Sequence, residues 1–430
     1  MPCRSPQVIA PWLILAALVL DCPVADSQTR ASSADIELSL PRLATPIHLS
    51  VPMTLADGWK PLRSGRLLES GAEQPPHIAQ ISTAIGADGK PLPEQYRLLA
   101  VLPAGQATAT TRRFRLQLRP VAENAAPSTV PSPFRFEDAS GQSLRLLEGD
   151  APVFSYQYGT VVARHVPPGD PRRKRACYVH PIWGLDGEVL TADFPADHFH
   201  HHGLFWTWPH VEIDGKHYDL WADRGGLRQK FLRWLHRETG PVAAVLAFEN
   251  GWFIGDTQVM TERIWLTAYH RSGDHRVIDV SLTFTPKDKT ISLRGAPNKS
   301  YGGLALRFDP SSREATTITV PSGRTSADLP DTQLPWADLT STFDRAGARS
   351  GAMLMVHPAH PDFPPTWLTR HYGPLCVGWP GVKARSFPPN QPVQLNYRIW
   401  IHRGAVDLEC LKAVYHAYCA AQDISAIAVR

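Results

Sequence analysis

Proline is the residue type that most constrains what this chain can fold into. Forty prolines are distributed along its 430 residues. Proline interrupts helices, and within β-sheets it is confined to edges, bulges and turns. Because 43% of the residues are hydrophobic as well, we expect many short strands joined by ordered loops.

Alternation of apolar and polar residues supports this expectation in three segments, 113–118, 276–285 and 393–402. In the last segment, apolar residues occupy every odd position up to 401, and the polar residues between them include Gln394, Asn396 and Arg398. Successive side chains of a strand point to opposite faces. One face is therefore predicted to be buried and the other polar, as antiparallel sheets allow.

The pattern predicts a mainly β protein with two domains. A small N-terminal β-sandwich is expected over residues 36–120, followed by a linker around 121–132 that is rich in alanine, proline, serine and asparagine. A large antiparallel β-supersandwich is expected over residues 133–430. It should end in a helix capped by Asp407, because apolar residues then recur at helical spacing, at Leu408, Leu411, Val414, Tyr415 and Tyr418.

The N-terminus has the features of an export signal over residues 1–27. Arg4 supplies a positive start, and the apolar run from Trp12 to Leu20 is shorter than the roughly 20 residues that span a bilayer. Small residues, Ala25 and Ser27, precede a possible cleavage point. We therefore expect a periplasmic or extracellular protein with no transmembrane segment in the mature chain.

Charge and cysteine content narrow the function classes. The formal net charge is +4, and no basic stripe with interleaved aromatic residues appears, so we expect no nucleic-acid partner. The cysteines outside the signal are Cys177, Cys376, Cys410 and Cys419. They permit three disulfide pairings, among which the sequence cannot choose. No pair has the Cys-x-x-Cys spacing, so we do not expect a zinc site built from cysteines.

The segment Asp197–Gly203 is the strongest candidate for chemistry, because four histidines lie within five residues. If the segment is extended, His198, His200 and His202 project to one side. Same-side neighbours on a strand are about 7 Å apart. Ligands of one zinc ion must approach to about 3–3.5 Å. We therefore predict no metal site and leave the cofactor unspecified; the alternatives are acid/base or binding histidines and purely structural histidines.

Residues around this segment complete the candidate site. The predicted catalytic residues are His180, His198, His200, His201 and Glu262. Substrate contacts are expected from arginines, which form forked hydrogen bonds, from aromatic rings, which pack on sugar rings, and from polar neighbours. These residues are Arg175, Asp197, His202, Trp206, Arg307, Trp367, Arg370 and Tyr372. The alternative for each is a structural role, in the core for the tryptophans and on a strand surface for Glu262.

The run from Arg175 to Trp208 resembles the hallmark of the PmoA family of exported bacterial proteins, which often carry the label "methane oxygenase". The matching positions are Arg175, Tyr178, His180, Pro181, Gly187, Val189, Thr191, Pro195, Asp197, His198, His200, His201 and Gly203. The sequence departs at His202, where the family has arginine. Similar segments follow at 301–308, 335–339 and 379–381. A membrane oxygenase subunit needs several apolar spans of about 20 residues, so we do not expect that activity here.

The large domain also resembles the sandwich of galactose mutarotases. The similarity lies in His202-Gly203-Leu204 and in the proline-rich turn at 387–390 before a long strand. The resemblance implies a histidine acid and a glutamate base acting on a sugar ring. The sequence departs at Trp379-Pro380-Gly381, where that glutamate is expected and no carboxylate stands.

Three functional hypotheses follow. The leading one is a secreted carbohydrate-active protein that acts on or binds a sugar or glycoside through the histidine-rich pocket, with one histidine moving a proton. The second is a non-catalytic glycan-binding protein. The third is a metal-dependent hydrolase or oxidase. No Gly-x-Ser-x-Gly turn, P-loop or dinucleotide-binding glycine pattern is present to favour another class.

Overall fold

A computed structural model describes residues 37–55, 64–71, 75–86, 88–105, 111–118, 131–343 and 347–429. Within these ranges the protein is mainly β, with large antiparallel sheets and one α-helix near the C-terminus. The predicted mainly β class, with large antiparallel sheets and a C-terminal helix, is confirmed. The predicted export signal and nearly all of the predicted linker lie outside the described residues. Of the helices in the described part, none is long and apolar enough to cross a membrane.

The strands are numbered along the chain. The first group is β1 (Glu37–Pro41), β2 (Ile47–Leu55), β3 (Ser64–Glu69), β4 (His77–Ile85), β5 (Pro91–Leu102) and β6 (Thr111–Leu118). The second is β7 (Phe134–Asp138), β8 (Ser143–Glu148), β9 (Ala151–Gln157), β10 (Val161–Val162), β11 (Lys174–Arg175), β12 (Tyr178–Ile182) and β13 (Leu204–Thr207). A short 3-10 turn at Pro171–Arg173 precedes β11.

The third group is β14 (His210–Ile213), β15 (Lys216–Tyr218), β16 (Leu227–Thr239), β17 (Ala243–Ile254), β18 (Thr257–Tyr269), β19 (His275–Pro286), β20 (Ile291–Arg294) and β21 (Gly303–Arg307). The fourth is β22 (Thr317–Val320), β23 (Gly323–Arg324), β24 (Leu329–Gln333), β25 (Trp336–Thr342), β26 (Arg349–Val356), β27 (Thr366–Thr369), β28 (Pro374–Gly378), β29 (Arg385–Phe387) and β30 (Val393–Arg403). Helix α1 (Leu408–Gln422) and β31 (Ile427–Val429) follow.

The N-terminal strands form one seven-stranded sheet in the order β1-β6-β3-β4-β5-β2-β31. We call it the N-terminal sheet. It differs from the predicted small sandwich in two respects, since the described strands belong to a single sheet and its last strand comes from the end of the chain. Strand β31 pairs in parallel with β2, for example Ile427 with Met53. The apolar side chains of this sheet pack against one another and against Ala417 and Ala421 of α1.

Two nine-stranded antiparallel sheets make up the large sandwich. Sheet A has the order β24-β27-β28-β21-β13-β12-β9-β8-β7, and sheet B has the order β16-β17-β18-β19-β30-β26-β25-β22-β23. Apolar side chains from both sheets meet in one continuous core. A four-stranded sheet, β15-β14-β20-β29, adds residues such as Val211 and Leu293 to that core.

Strand alternation in sheet A decides which side chains lie outside the core. Leu204 and Trp206 of β13 enter the core, whereas Phe205 between them belongs to a separate apolar cluster on the other face. The same cluster contains Tyr178 of β12 and Cys376 of β28. The outer face of sheet A is therefore apolar at its base, and the loops that carry the histidines cover it.

Helix α1 lies between the sandwich and the N-terminal sheet. Its N-cap is Asp407, whose side chain accepts a hydrogen bond of 2.7 Å from the amide of Cys410, as predicted. Leu411 and Tyr415 pack on the outer face of sheet B together with Trp400. The four described cysteines, Cys177, Cys376, Cys410 and Cys419, are free.

A buried ion pair connects these parts. Arg398 of β30 is 4% exposed and makes two bonds to Asp279 of β19, at 2.6 and 2.8 Å. It also donates to the carbonyl oxygen of His48 in the N-terminal sheet, at 3.1 Å, and its guanidinium lies 4.5 Å from the Tyr418 ring of α1.

We predict that Arg398→Ala lowers the free energy of unfolding by about 3 kcal/mol. The substitution leaves Asp279 without its partner and removes the contacts of Arg398 with the N-terminal sheet and with α1. Urea denaturation measures this. The matched control is Lys412→Ala, which removes a surface pair with Glu409 and should leave stability unchanged within error. Equal effects of the two substitutions would contradict the assigned role.

Candidate functional site

The histidine-rich segment is a compact turn and not the extended strand that the alternation argument assumed. The amide of His198 donates to the Pro195 carbonyl at 3.0 Å, and the amide of His201 donates to the His198 carbonyl at 3.0 Å. Two consecutive turns thus reverse the chain between β12 and β13. Because the period of two is lost, the predicted grouping of His198, His200 and His202 on one side does not hold.

Three of the four histidines form a cluster of rings. The His198 ring stacks on the His201 ring, with centroids 4.7 Å apart and planes within 6° of parallel. The His200 ring stands edge-on to both, at 5.6 Å from His198 and 4.7 Å from His201. Trp221 closes one side at 5.8 Å from His201. We call His198, His200 and His201 the histidine cluster.

An arginine and an aspartate hold the exposed edge of the histidine cluster. Arg307, on β21, makes two bonds of 3.1 Å to the carboxylate of Asp197 and donates to the Tyr372 carbonyl at 2.8 Å. The second Asp197 oxygen lies 3.1 Å from Nδ1 of His198. That contact is close enough for an ion pair but is poorly aligned for a hydrogen bond, so Nδ1 of His198 makes none. The Tyr372 ring stacks on His198 at 5.2 Å.

His202 lies apart from the histidine cluster, in a second buried group. Its Nδ1 is 2.9 Å from Oδ1 of Asp193, whose other oxygen accepts a 2.8 Å hydrogen bond from the Tyr178 hydroxyl. His180 lies beside them, with Nδ1 3.0 Å from the Thr191 hydroxyl. Burial raises the pKa of Asp193 to about 6. These hydrogen bonds hold His202 in place at the end of the histidine-rich segment.

Burial sets the charge state of the histidine cluster. It lowers the pKa of His200 to about 3 and lowers the pKa of the His201 imidazole well below its usual value, with help from neighbouring histidines. Both rings are therefore neutral near neutral pH. For Asp197, burial alone would raise the pKa, but His198 and Arg307 outweigh it, so the pKa is lowered and the carboxylate stays ionised.

Several predicted residues form a separate buried network in the sandwich core. Arg175 donates to Asp223 at 2.9 Å and to Gln229 at 2.8 Å, and Gln229 donates to Glu262 at 2.7 Å. Glu262 is fully buried, and burial raises its pKa. It accepts further hydrogen bonds from Trp206, Asn250 and Trp252. Glu262 of β18 and Trp206 of β13 thus meet in the core between sheets B and A, away from the histidine cluster.

The remaining predicted residues divide between the core and the rim of the site. Trp367 is fully buried, and its indole donates to the Leu334 carbonyl at 2.7 Å. Arg370 is partly exposed and lies 3.4 Å from a carboxylate oxygen of Asp328. Tyr372 lies against His198, and burial raises its pKa to about 12, so its hydroxyl remains protonated.

Sequence reasoning missed three residues that shape the site. Trp221 packs between the histidine cluster, Phe205 and Tyr301, with the Tyr301 ring 4.8 Å away. Asp193 orients His202. Tyr301 begins the Tyr-Gly-Gly run of segment 301–308, so the sequence carries a signal for it. Trp221 lies outside every motif, and only the fold brings it to the histidines.

Several buried polar atoms at the histidine cluster have no hydrogen-bond partner among the described residues. They are Nδ1 of His198, Nδ1 of His200, Nδ1 of His201, Nε1 of Trp221 and Nε of Arg307. Buried polar groups are normally paired, and exceptions often mark functional sites. The side chains of His198 and Asp197 are 36% and 44% exposed, so a ligand can reach this group from solvent.

The histidine cluster has no arrangement suited to a metal ion. In the part of the chain that the structure describes, no group of three or more His, Cys, Asp or Glu side chains could hold one. The reason is visible in His198 and His201, because the nitrogen lone pairs lie in the ring planes and parallel planes cannot converge on one ion.

Residues 143–416 match a family of unknown function, DUF6807. The chain belongs to that family. The matched region contains sheet A from β8 onward, all of sheet B, the histidine cluster and most of α1. A search of curated proteins gave no match.

Among solved structures, the chain is similar to a crystal structure of a protein assigned as an aldose 1-epimerase from Klebsiella pneumoniae subsp. pneumoniae MGH 78578. The two are 10% identical, and the alignment covers 89% of this chain and 98% of that one. The TM-score is 0.29, which does not establish a common fold.

Gly203 ends the histidine segment and permits the close approach of three strands. It has a φ of +40°, and a Cβ there would overlap the Val179 carbonyl oxygen. Its amide donates to Ala192 at 2.7 Å, and its carbonyl accepts from the Arg307 amide at 2.7 Å. The same short contacts therefore place both the histidines and Arg307.

We predict that Gly203→Ala destabilises the protein by about 2 kcal/mol more than Gly187→Ala, as measured by urea denaturation. Gly187 also has a positive φ, of +88°, but a Cβ there meets nothing within 4 Å. That control isolates the left-handed penalty of about 1–2 kcal/mol from the steric overlap. Equal destabilisation would show that the overlap is relieved without cost.

Proposed function

We propose that this chain is a carbohydrate-active protein that binds a sugar or glycoside at the histidine cluster, and that His198 moves a proton to or from the bound ligand. The observation that carries the proposal is the sequence of contacts from Arg307 through Asp197 to His198, each of 3.1 Å. A carboxylate close to one nitrogen of an imidazole favours a proton on that nitrogen and leaves the other nitrogen free for proton transfer.

The surroundings support His198 over the other histidines as the base. Its side chain is 36% exposed and lies beside the exposed Asp197 carboxylate, whereas His201 is 6% exposed. Stacking on His201 and Tyr372 holds the His198 ring. His200 and His201 are neutral, so their nitrogens can hydrogen-bond sugar hydroxyls without attracting a charged ligand.

Aromatic rings around the histidine cluster suit the apolar face of a sugar. Tyr372 and Tyr301 are partly exposed, and Trp221 lies beneath them. Sugar rings present C–H bonds on one face and hydroxyls at the edge, so they pack on aromatic rings while their hydroxyls reach polar atoms. The unpaired atoms of His200, His201, Trp221 and Arg307 would supply these partners.

We assign supporting roles to the residues that lie apart from the histidine cluster. His180 and His202 would hold the loop through Thr191 and Asp193. Glu262 would order Gln229 and, through it, Arg175 beneath the site. This differs from the predicted role of Glu262 as a base, because four donors surround it in the core.

The finer resemblances belong to the same proposal. The motifs that resemble the PmoA family, from Arg175 to Gly381, all fall inside the matched region 143–416. The mutarotase-like arrangement of two large antiparallel sheets supports a sugar ligand by analogy only. Export to the periplasm or the cell exterior is also proposed, on the basis of the apolar run at residues 12–20.

The test uses purified full-length protein. Sugars and aryl glycosides are screened for binding by calorimetry and for turnover by anomeric NMR and reducing-end release. We expect His198→Gln to lower kcat/KM by about 10²–10⁴ with ligand affinity little changed. His217→Gln, on the exposed β14–β15 hairpin, is the control and should behave as wild type.

The outcomes separate the alternatives. Turnover that survives His198→Gln would refute the proposed base. Binding by the wild-type protein without any turnover would favour the non-catalytic glycan-binding protein. Absence of both across the panel would contradict the carbohydrate proposal as a whole.

The metal-dependent alternative predicts a different measurement. Because the rings of His198 and His201 are parallel, we expect elemental analysis of the purified protein to show no stoichiometric zinc, copper or iron bound by the histidine cluster. A variant in which His198, His200 and His201 are all alanine is the control. About one metal ion per chain that this variant loses would move the assignment to a metalloenzyme.

A further inference from the structure

We propose that the protein has a second carbohydrate site, in a cleft between the N-terminal sheet and the outer face of sheet B, and that this site takes a neutral oligosaccharide. The cleft has a volume of about 500 Å³. That volume lies within the usual range of ligand sites, about 300–1,000 Å³. We call this cleft the junction cleft. It lies on the opposite side of the sandwich from the histidine cluster, so the two proposals are independent.

The floor of the junction cleft is a row of aligned side chains from three central strands of sheet B. Trp265 of β18 pairs directly with Ser281 of β19, and Ser281 pairs with Asn396 of β30. Residues directly opposite one another in a sheet project to the same face. An aromatic ring, a hydroxyl and an amide therefore stand side by side, all partly exposed.

Gln394 extends this row. Its amide donates to the Ser281 hydroxyl at 3.0 Å and to the Asn396 side-chain oxygen at 3.2 Å. These bonds hold the floor in place, while the remaining donor and acceptor positions of the two amides stay available to a ligand. Alternation in the sequence predicts the polar face of β30. Its residues Gln394 and Asn396 form part of this row and take no part in the histidine cluster.

The acidic group of the junction cleft has a charged partner within the protein, and donors of its arginine are bound to neutral oxygens. Asp279 is paired with Arg398 at 2.6 and 2.8 Å. Arg97 donates to the hydroxyl and the carbonyl of Ser50, both at 2.8 Å. Burial lowers the pKa of His357, which therefore adds no charge near neutral pH. Because Asp279 is paired and Arg97 is already hydrogen-bonded, the lining suits a neutral ligand that is rich in hydroxyl groups.

The wall that faces the floor is fixed in position. Glu238 of sheet B accepts from Gln80 at 2.8 Å and from Ser82 at 2.9 Å, both in the N-terminal sheet. The oxygen of the Gln80 amide in turn accepts from the amides of Val242 and Ala243. The two sheets are thus tied beside the cleft, and a ligand would meet a preformed site.

The paired strands of the floor disfavour a peptide ligand. Strands β18, β19 and β30 lie in the interior of sheet B, with β17 and β26 on either side. Their backbone groups are already hydrogen-bonded, so a peptide could not add as a strand. Recognition must come from side chains, and a ring beside hydroxyls and amides suits a sugar.

The experiment measures binding of maltohexaose, cellohexaose and xylohexaose to full-length protein by calorimetry, with tryptophan fluorescence as a second readout. We expect one of these probes to bind, and we expect Trp265→Ala to weaken that binding about tenfold or more. Asn396→Ala, a smaller change, should weaken it less. Circular dichroism melting confirms that both variants are folded, and Trp265→Phe should retain most of the affinity.

A control distinguishes the loss of this tryptophan from the loss of any tryptophan. Trp183→Ala removes another partly buried tryptophan, one that lies outside the junction cleft beside Arg145, and should leave affinity unchanged. The proposal is overturned if none of the three probes binds, or if binding is insensitive to both Trp265→Ala and Asn396→Ala in folded protein.

Discussion

The apolar core between sheets A and B is the interaction on which the rest of the structure depends. Strands β12, β13, β21 and β28 each place one face in that core. Their registers are fixed, because a slip of one residue would expose the core side chains. The same registers also fix which side chains lie on the opposite face of these strands. It presents Tyr178, Phe205 and Cys376 as the base on which the histidine segment rests.

This constraint explains how residues distant in sequence meet at one site. Asp197 is 110 positions from Arg307, and the two are brought together because β13 pairs with β21. Gly203 has no side chain to separate the strands at this point. The position of His198 beside an oriented carboxylate is therefore a consequence of sheet packing and not of the local segment alone.

Buried polar groups accompany this core without interrupting it. Glu262 sits among apolar residues but accepts four hydrogen bonds, and Arg175 is paired with Asp223. Buried charges are tolerated when they are paired and hydrogen-bonded. The network links sheet B to the segment beneath Trp221, so the sandwich interior supports the candidate site mechanically. The two outer faces of the sandwich differ. One carries the histidine cluster, and the other carries the row of Trp265, Ser281 and Asn396.

The sequence by itself determined the strand-rich class, the antiparallel character, the closing helix with its Asp407 cap, and the segment in which the histidines lie. These features follow from local periodicity and proline placement, which a sequence displays directly. It did not determine which histidines group together, because two consecutive turns replaced the assumed extended strand. Nor did it reveal Trp221 as a neighbour of His201 or the burial of Glu262. Only the tertiary structure decided these, since they depend on which faces of paired strands meet across the sandwich.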